Sequence, residues 1–326
     1  MKLIIQIPCF NEEKTLPQTI ADLPKHINGI DTIEYLIIND GSTDKTIEVA
    51  KSCGVHHVVS FKQNKGLAKG FMAGLDACLR LGADIVVNTD ADNQYDGGDI
   101  EKLVQPILLN KAEIVIGERP VNETPHWSPL KKRLQKLGSL VVRIASGTSI
   151  PDAPSGFRAY SRKAAMQLNV TNAYTYTLET IIQAGMNKIP MTSVQINTNP
   201  ETRKSRLFSS IYGYVKRSVT VIVRSYMMYR PLKVLGTTGV ITFISGLIFA
   251  LRYVWLMLVG SDGGHVQSLI LSSLLMMLGV LIFICGILAD IMASNRKLLE
   301  DIQFRIRKMD YDGVKINDND YGEKED

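Results

Sequence analysis

The chain has 326 residues, 45% hydrophobic and 21% charged, with 37 Lys and Arg against 32 Asp and Glu for a formal net charge of +5. Apolar content this high at so low a net charge excludes disorder over most of the chain and is ample for a packed core. The small positive excess makes no case for nucleic-acid binding, so where the charges sit matters more than their sum.

Residues 3–7 are a continuous apolar run ending at Pro8, the pattern of a strand buried on both faces. The run is too short, and too soon followed by Glu12 and Glu13, to read as a signal peptide. Residues 13–23 are predicted helical. Residues 35–38 form a second buried strand, followed by the turn Asn39-Asp40-Gly41-Ser42 and a helix from Thr43. A third strand covers 58–61, and His56 and His57 before it read as strand positions rather than metal ligands. A helix over 66–79 and a fourth strand over 84–88 follow, the strand running into Thr89-Asp90-Ala91-Asp92; a fifth strand covers 113–116. Such strand–helix alternation implies a mostly parallel sheet with helices on both faces, and ligands at the carboxyl ends of its strands. Cys9, Cys53, Cys78 and Cys285 form no CxxC pair and no His/Cys cluster, which argues against zinc or a disulfide framework and for a reducing compartment.

Beyond about residue 200 the character changes, and the mean hydropathy of +0.05 averages two unlike parts. Residues 232–259, with Arg252 near the far end, and 266–289, with no charged residue, are each long enough for a bilayer core, which takes about 20 apolar residues. The link 260–265 lacks Lys and Arg. Residues 202–233 carry Arg203, Lys204, Arg206, Lys216, Arg217, Arg224, Arg230 and Lys233 and no acidic residue, and Arg296, Lys297, Arg305, Arg307 and Lys308 follow the second stretch. The positive-inside rule then places both termini in the cytoplasm. The expected organisation is an α/β domain over 1–200, a basic amphipathic juxtamembrane segment over 201–231, a two-helix transmembrane hairpin over 232–293 and a cytoplasmic tail over 294–326. The tail is acidic and polar from Asp310 and expected to be partly disordered. Tyr212, Tyr214, Tyr226 and Tyr229 read as an interfacial aromatic belt, and the glycines of the two spans as sites of close helix packing.

Three polar clusters fall at predicted strand ends: Pro8-Cys9-Phe10-Asn11-Glu12, Asn39-Asp40 and Asp90-Ala91-Asp92. Carboxylates brought together are costly unless a cation neutralises them, and an oxygen-rich site suits Mg²⁺ or Mn²⁺. Gly66-Leu67-Ala68-Lys69-Gly70 reads either as a helix start or as a phosphate-facing loop; it matches neither GxGxxG nor GxxxxGK[ST].

The order PCFNEE, NDGSTDKT, NKGLAKG, NTDADNQ resembles family 2 glycosyltransferases of GT-A fold, a Rossmann-like, mostly parallel α/β architecture. DAPSGFRAYSR, residues 152–162, and TRKSRLF, residues 202–208, resemble the polyprenyl-phosphate branch of that family, that of dolichyl-phosphate mannose synthase and the GtrB-type enzymes. The resemblance implies that Pro8, Phe10, Asn11 and Glu12 line a nucleotide pocket, that Asp40 contacts base or ribose and that Lys69 lies near the nucleotide. It makes Asp90 and Asp92 the DxD pair, Asp90 on the nucleotide and Asp92 with Gln94 on the metal. Arg119 matches a family arginine near the phosphates and counts with the two aspartates as catalytic. Arg133, or Lys131 or Lys132, holds the acceptor phosphate with Arg203 and Lys204, where the usual Gly-x-Ser-Lys reads Arg-Lys-Ser-Arg. Arg158 reads either as a structural ion-pair partner or as a site residue.

The implied reaction moves a hexose, with inversion, from a nucleotide sugar to polyprenyl phosphate, undecaprenyl phosphate in a bacterial cytoplasmic membrane. A UDP-sugar is favoured over GDP-mannose. A homo-oligomer, taken as a tetramer, is the expected assembly. A processive polysaccharide synthase shares the fold, but neither Trp127 nor Trp255 sits in the Gln-x-x-Arg-Trp context of such enzymes.

Overall fold

The computed structural model describes residues 1–120, 129–171, 175–200, 211–259 and 266–313; the side chains of 129–134, 211, 212, 214, 312 and 313 stand outside this description. The chain forms two compact units: Met1–Ile222 with Ile302–Asp326, and Val223–Asp301.

The first unit is built on seven strands in the order β3-β2-β1-β4-β6-β5-β7. β1 (Lys2–Cys9) and β2 (Thr32–Asn39) pair in parallel along their whole length, Cys9 opposite Asn39, so the loops leaving them start side by side. β3 (His57–Ser60) pairs outside β2, and β4 (Ile85–Asn88) on the other flank of β1, both parallel. Leu3, Ile5, Ile7, Ile37, Ile85 and Val87 are fully buried, and burying such a side chain is worth about 1.5–3 kcal/mol. These continuous apolar runs can sit only in a sheet covered on both faces. His57 and His56 are accounted for by Glu34, 2.8 Å from Nε2 of His57, and by the Tyr35 amide, which donates to Nδ1 of His56 at 3.1 Å.

β5 (Ile114–Glu118) and β7 (Met191–Gln195) run parallel to each other. Between β4 and β5 lies β6 (Arg158–Ser161), antiparallel to both. β6 and β7 are absent from the sequence reading: four residues with a buried arginine at their head, and four half-buried residues followed by an exposed one, give neither a run nor an alternation to detect.

The helices are α1 (Leu16–Ala21), α2 (Thr46–Ser52), α3 (Leu67–Arg80), α4 (Ile100–Leu108), α5 (Pro129–Ser146), α6 (Arg162–Gln167) and α7 (Thr177–Met186). α1 starts three residues later than predicted, because the Glu12 carbonyl already closes a turn on the amides of Thr15 and Leu16, and Pro17 takes the first helical turn. α3 lies so close on the sheet that a Cβ at Gly74 would stand 2.7 Å from Cδ1 of Ile38.

α8 (Ile211–Tyr229) crosses into the second unit, where a π-turn (Leu232–Gly236) leads into α9 (Thr237–Leu258). α10 (Val266–Gly313) is one helix, so the polar stretch from Asp310 is helical as far as Gly313. Both apolar helices have the length and composition to cross a membrane, and Ile248, Trp255, Leu274 and Met277 point outward from them. They meet along glycines: a Cβ at Gly279 would lie 2.6 Å from the Phe243 amide nitrogen, and one at Gly239 2.8 Å from the Gly279 carbonyl oxygen. Tyr229, expected in an outward aromatic belt, is 7% exposed and donates to Oε1 of Glu300 at 3.0 Å. The end of α10 belongs to the first unit, where Arg307 donates to the carbonyls of Met166 and Leu168 at 3.0 and 2.8 Å and the Tyr311 hydroxyl donates to Asp76.

Candidate active site

The loop after β1 is locked to the loop after β2. Asn11 takes a left-handed φ of 57°, a conformation asparagine tolerates better than most residues. Its amide donates to Oγ of Ser42 at 2.9 Å, and its Oδ1 accepts from the Thr43 amide at 2.8 Å. Glu12, 5% exposed, has its amide on Oγ1 of Thr46 at 2.9 Å and its carboxylate accepting from the Thr15 hydroxyl at 2.7 Å. Pro8 sits inside β1, while Phe10 is 39% exposed and presents its ring at the strand end.

Asp40 fixes a third loop. Its two carboxylate oxygens accept from the amides of Lys65 and Gly66 at 2.7 and 2.9 Å. Such charge-assisted bonds to backbone N–H groups are among the stronger ones. Gly41, at φ 70°, lets this loop close down: a Cβ there would stand 2.5 Å from the Gln63 carbonyl carbon. The loop delivers the first turn of α3, where Lys69 is exposed.

The fourth component follows β4. Asp90, Asp92 and Gln94 are half-buried, and Oδ1 of Asp92 accepts from the Gln94 amide at 3.3 Å. The loop preceding β6 comes up against them. A Cβ at Gly156 would stand 3.1 Å from the Tyr176 hydroxyl, a tight approach, and 3.4 Å from both carboxylate oxygens of Asp90, so this loop packs directly against that carboxylate. Gly156 is pinned by its amide donating to the Tyr95 hydroxyl at 3.1 Å and its carbonyl accepting from Nδ2 of Asn88 at 3.0 Å. Burial pushes the Tyr95 phenol up to about 12, and the Tyr176 phenol well above its ordinary value, so both act at neutral pH as uncharged hydrogen-bonding groups. Asn88 and Gly156 lie within the segments NTDADNQ and DAPSGFRAYSR, whereas Tyr95 and Tyr176 gave no sequence signal, and the juxtaposition of the four depends on the unforeseen β6.

Arg119 extends from β5 onto Asp152, its Nε and a terminal nitrogen on the two carboxylate oxygens at 2.8 and 3.0 Å. Gln135 of α5 adds a bond at 2.8 Å. Asp152 is 2% exposed. Burial alone would raise its carboxyl, but the Arg119 guanidinium and these hydrogen bonds outweigh it and hold it below the usual carboxylate range. Arg158 is fully buried and donates to the carbonyls of Ser155 and Ala153 and to the Thr180 hydroxyl, each at 2.7 Å. These partners are neutral, so the ion-pair reading of Arg158 gives way to that of a cation organising the turn into β6. Arg133 has only its backbone described, in α5, and Arg203 and Lys204 lie outside the described residues, as do Lys131 and Lys132 as side chains.

Sequence-distant groups thus gather at the carboxyl ends of β1, β2 and β4. Among the described residues no group of three or more His, Cys, Asp or Glu converges into a cation site. The donors in the Asp90–Gln94 loop are hard carboxylate and amide oxygens, a set that fits Mg²⁺ or Mn²⁺ completed by substrate oxygens.

Residues 4–168, half of the chain, match the model of Glycosyl transferase family 2. The chain belongs to this family. It is 33% identical over 213 residues to a UDP-N-acetylglucosamine–dolichyl-phosphate N-acetylglucosaminyltransferase of Methanococcus voltae, covering 59% of this chain and 83% of the relative. It is 29% identical over 166 residues to an undecaprenyl-phosphate mannosyltransferase of Micrococcus luteus, covering 49% of this chain and 66% of that one. Among solved structures it is similar in fold to glucosyl-3-phosphoglycerate synthase of Mycobacterium tuberculosis, crystallised with Mn²⁺, UDP and its glucosylated product. The TM-score is 0.56 at 20% identity, over 69% of this chain and 79% of that one. The first unit of this family 2 glycosyltransferase therefore has the GT-A fold, with β6 as its antiparallel strand.

Proposed function

We propose that the chain transfers a hexose from a nucleotide sugar, a UDP-sugar before GDP-mannose, to polyprenyl phosphate at the cytoplasmic face of a bacterial membrane, with inversion at the anomeric carbon. The observation that carries the reading is one chain joining a GT-A site whose DxD carboxylates stand at the end of β4 to two helices long and apolar enough to span a bilayer. The relatives named for dolichyl- and undecaprenyl-phosphate transfer support a lipid phosphate as acceptor.

In this mechanism an oxygen of the acceptor phosphate attacks the anomeric carbon, the bond from that carbon to the donor diphosphate breaks, and nucleoside diphosphate leaves. Pro8, Phe10, Asn11 and Glu12 line the nucleotide, Asp40 orients base or ribose from the loop it already braces, and Lys69 faces the phosphates. Asp90 holds the nucleotide side, and Asp92 with Gln94 would hold Mg²⁺ or Mn²⁺. A divalent cation there supplies Lewis-acid stabilisation of the charge developing on the leaving diphosphate. Arg119, oriented by Asp152, adds positive charge beside the donor.

A phosphate monoester has a second pKa of about 6, so its oxygen is already a nucleophile at neutral pH and no side chain has to deprotonate it. A sugar hydroxyl would need a positioned base. Two anions approaching in a partly dehydrated site repel, so cations must escort the acceptor. Arg203 and Lys204, between the GT-A domain and the first span, serve this role with Arg133, while Arg206, Lys216 and Arg217 hold the protein to lipid headgroups.

The test separates these roles. Lys204→Ala should lose at least tenfold in transfer to lipid, about 1.4 kcal/mol, with nucleotide affinity little changed. Lys216→Ala should change transfer less than about twofold, the size expected of one charge at a fluid surface. Equal small losses in both would reduce the basic run to a surface anchor, and efficient transfer to free alcohols would exclude the phosphate mechanism.

A further inference from the structure

Beyond β7 the chain folds back across the first unit and is fastened to the loop that carries Asp92. The Ile196 amide donates to the Glu118 carbonyl at 3.0 Å, and the Asn197 amide donates to the Asp99 carboxylate. Thr198 forms an isolated antiparallel bridge with Tyr95. Asn199 then makes the densest attachment. Its amide donates to the Gln94 carbonyl at 2.9 Å, and its Nδ2 donates to the Asn93 carbonyl at 3.1 Å, with a longer contact to the Tyr95 carbonyl at 3.5 Å. Three successive carbonyls of the DxD loop are therefore held by one residue more than a hundred positions away.

The loop needs such an external hold. Asn93 sits at a left-handed φ of 54°, is 3% exposed, and reaches with its own Nδ2 to Asp22 at 2.6 Å. A left-handed non-glycine residue persists where its surroundings over-determine it, and here Asp22 holds the Asn93 side chain and Asn199 its carbonyl. The hold passes directly to the carboxylate through one peptide unit, that between Asn93 and Gln94: its carbonyl accepts from Nδ2 of Asn199 at 3.1 Å, and its N–H, the Gln94 amide, donates to Oδ1 of Asp92 at 3.3 Å.

We propose that Asn199 is the positioning residue of the cation site, setting Gln94 and through it Asp92 in the geometry that binds the metal. This rests on the cation-assisted reading of the function given above. No sequence motif marks Asn199; the role follows from its bonds alone.

The test measures Mn²⁺ binding directly, by the electron paramagnetic resonance signal of free Mn²⁺ titrated into the full-length protein in detergent, with saturating UDP or GDP. Asn199→Ala should weaken Mn²⁺ about tenfold. Asn199→Leu keeps similar volume and the backbone N–H but lacks the side-chain donor, so it should do the same and carries the test if the alanine variant is unstable. Thr198→Ala, on the same strap, should stay within about twofold. Transfer lost in the Asn199 variants should return with excess Mn²⁺, which a general folding defect would not show. Wild-type Mn²⁺ affinity in both Asn199 variants, or a loss of transfer that excess Mn²⁺ leaves in place, would overturn the assignment. A wild-type protein that binds no Mn²⁺ with either nucleotide would overturn the cation reading itself, and this inference with it.

Discussion

β3, β2, β1 and β4 form a parallel half held together by apolar area, whereas β6, β5 and β7 form a mixed half whose surroundings bury charge. In the parallel half Leu3, Ile4, Ile5, Leu36, Ile37 and Ile38 are fully buried, and the charged groups wait at the strand ends. Around the mixed half Arg158 is fully buried, Asp152 is 2% and Glu179 3% exposed, and each is surrounded by directional bonds. Apolar packing is forgiving of detail, because cores tolerate volume-conserving change. Buried polar networks are not, because each member removed leaves a partner unsatisfied. The DxD loop stands between the two, leaving β4 of the first half and packing against Gly156 of the second. The parallel half thus supplies a robust platform and the mixed half an exact shape around Asp90.

The largest effect expected is at the junction. Asp92→Asn keeps an oxygen that accepts from the Gln94 amide, so the loop should hold its shape while the proposed cation site loses a charge. Transfer should fall on the order of 10³-fold, about 4 kcal/mol, with the melting temperature nearly unchanged; a variant as active as wild type would detach Asp92 from the chemistry.

Next comes the mixed half. Asp152→Ala removes the bidentate partner of the half-buried Arg119 guanidinium and the acceptor of Gln135, and should cost about 2–3 kcal/mol in chemical denaturation. The same pair has a pH signature. The Asp152 carboxyl lies below its ordinary value of about 3.9, so its contribution is complete above that pH and is lost as pH falls through the folded-state pKa. Acid unfolding below about pH 4 should be less steep in Asp152→Asn than in wild type; identical acid limbs would remove Asp152 from the stability of this half.

The smallest effect belongs to the parallel half. Ile5→Val removes one methylene from a side chain held by apolar packing and should cost about 1 kcal/mol, with transfer unaltered. A loss as large as that of Asp152→Ala would erase the contrast between the halves.

The same contrast explains what could be read from the amino-acid order. Residues 3–7 and 35–38 are apolar runs whose burial is dictated locally, and the turn residues after them carry the site carboxylates, so the platform and the clusters at Glu12, Asp40 and Asp92 were legible. β6 was not, because Arg158-Ala159-Tyr160-Ser161 is stabilised by partners such as Thr180 and the Ala153 carbonyl that no local pattern announces. Arg119 and the segment opening at Asp152 were each picked out, but not their bidentate pairing across 33 residues. Asn199 illustrates the limit: a polar residue in a Pro-adjacent loop carries no signal until the loop it grips is in place.

The proposed transfer of a hexose to a lipid phosphate at the Asp90–Asp92 site is measured by offering membranes bearing the chain a panel of radiolabelled nucleotide sugars with undecaprenyl phosphate, followed by solvent extraction. Label should enter the organic phase from a UDP-sugar, or failing that from GDP-mannose, dependent on a divalent cation and lost in Asp92→Asn. Label that stays wholly aqueous with every donor, or that enters the lipid phase undiminished in excess EDTA, would contradict it.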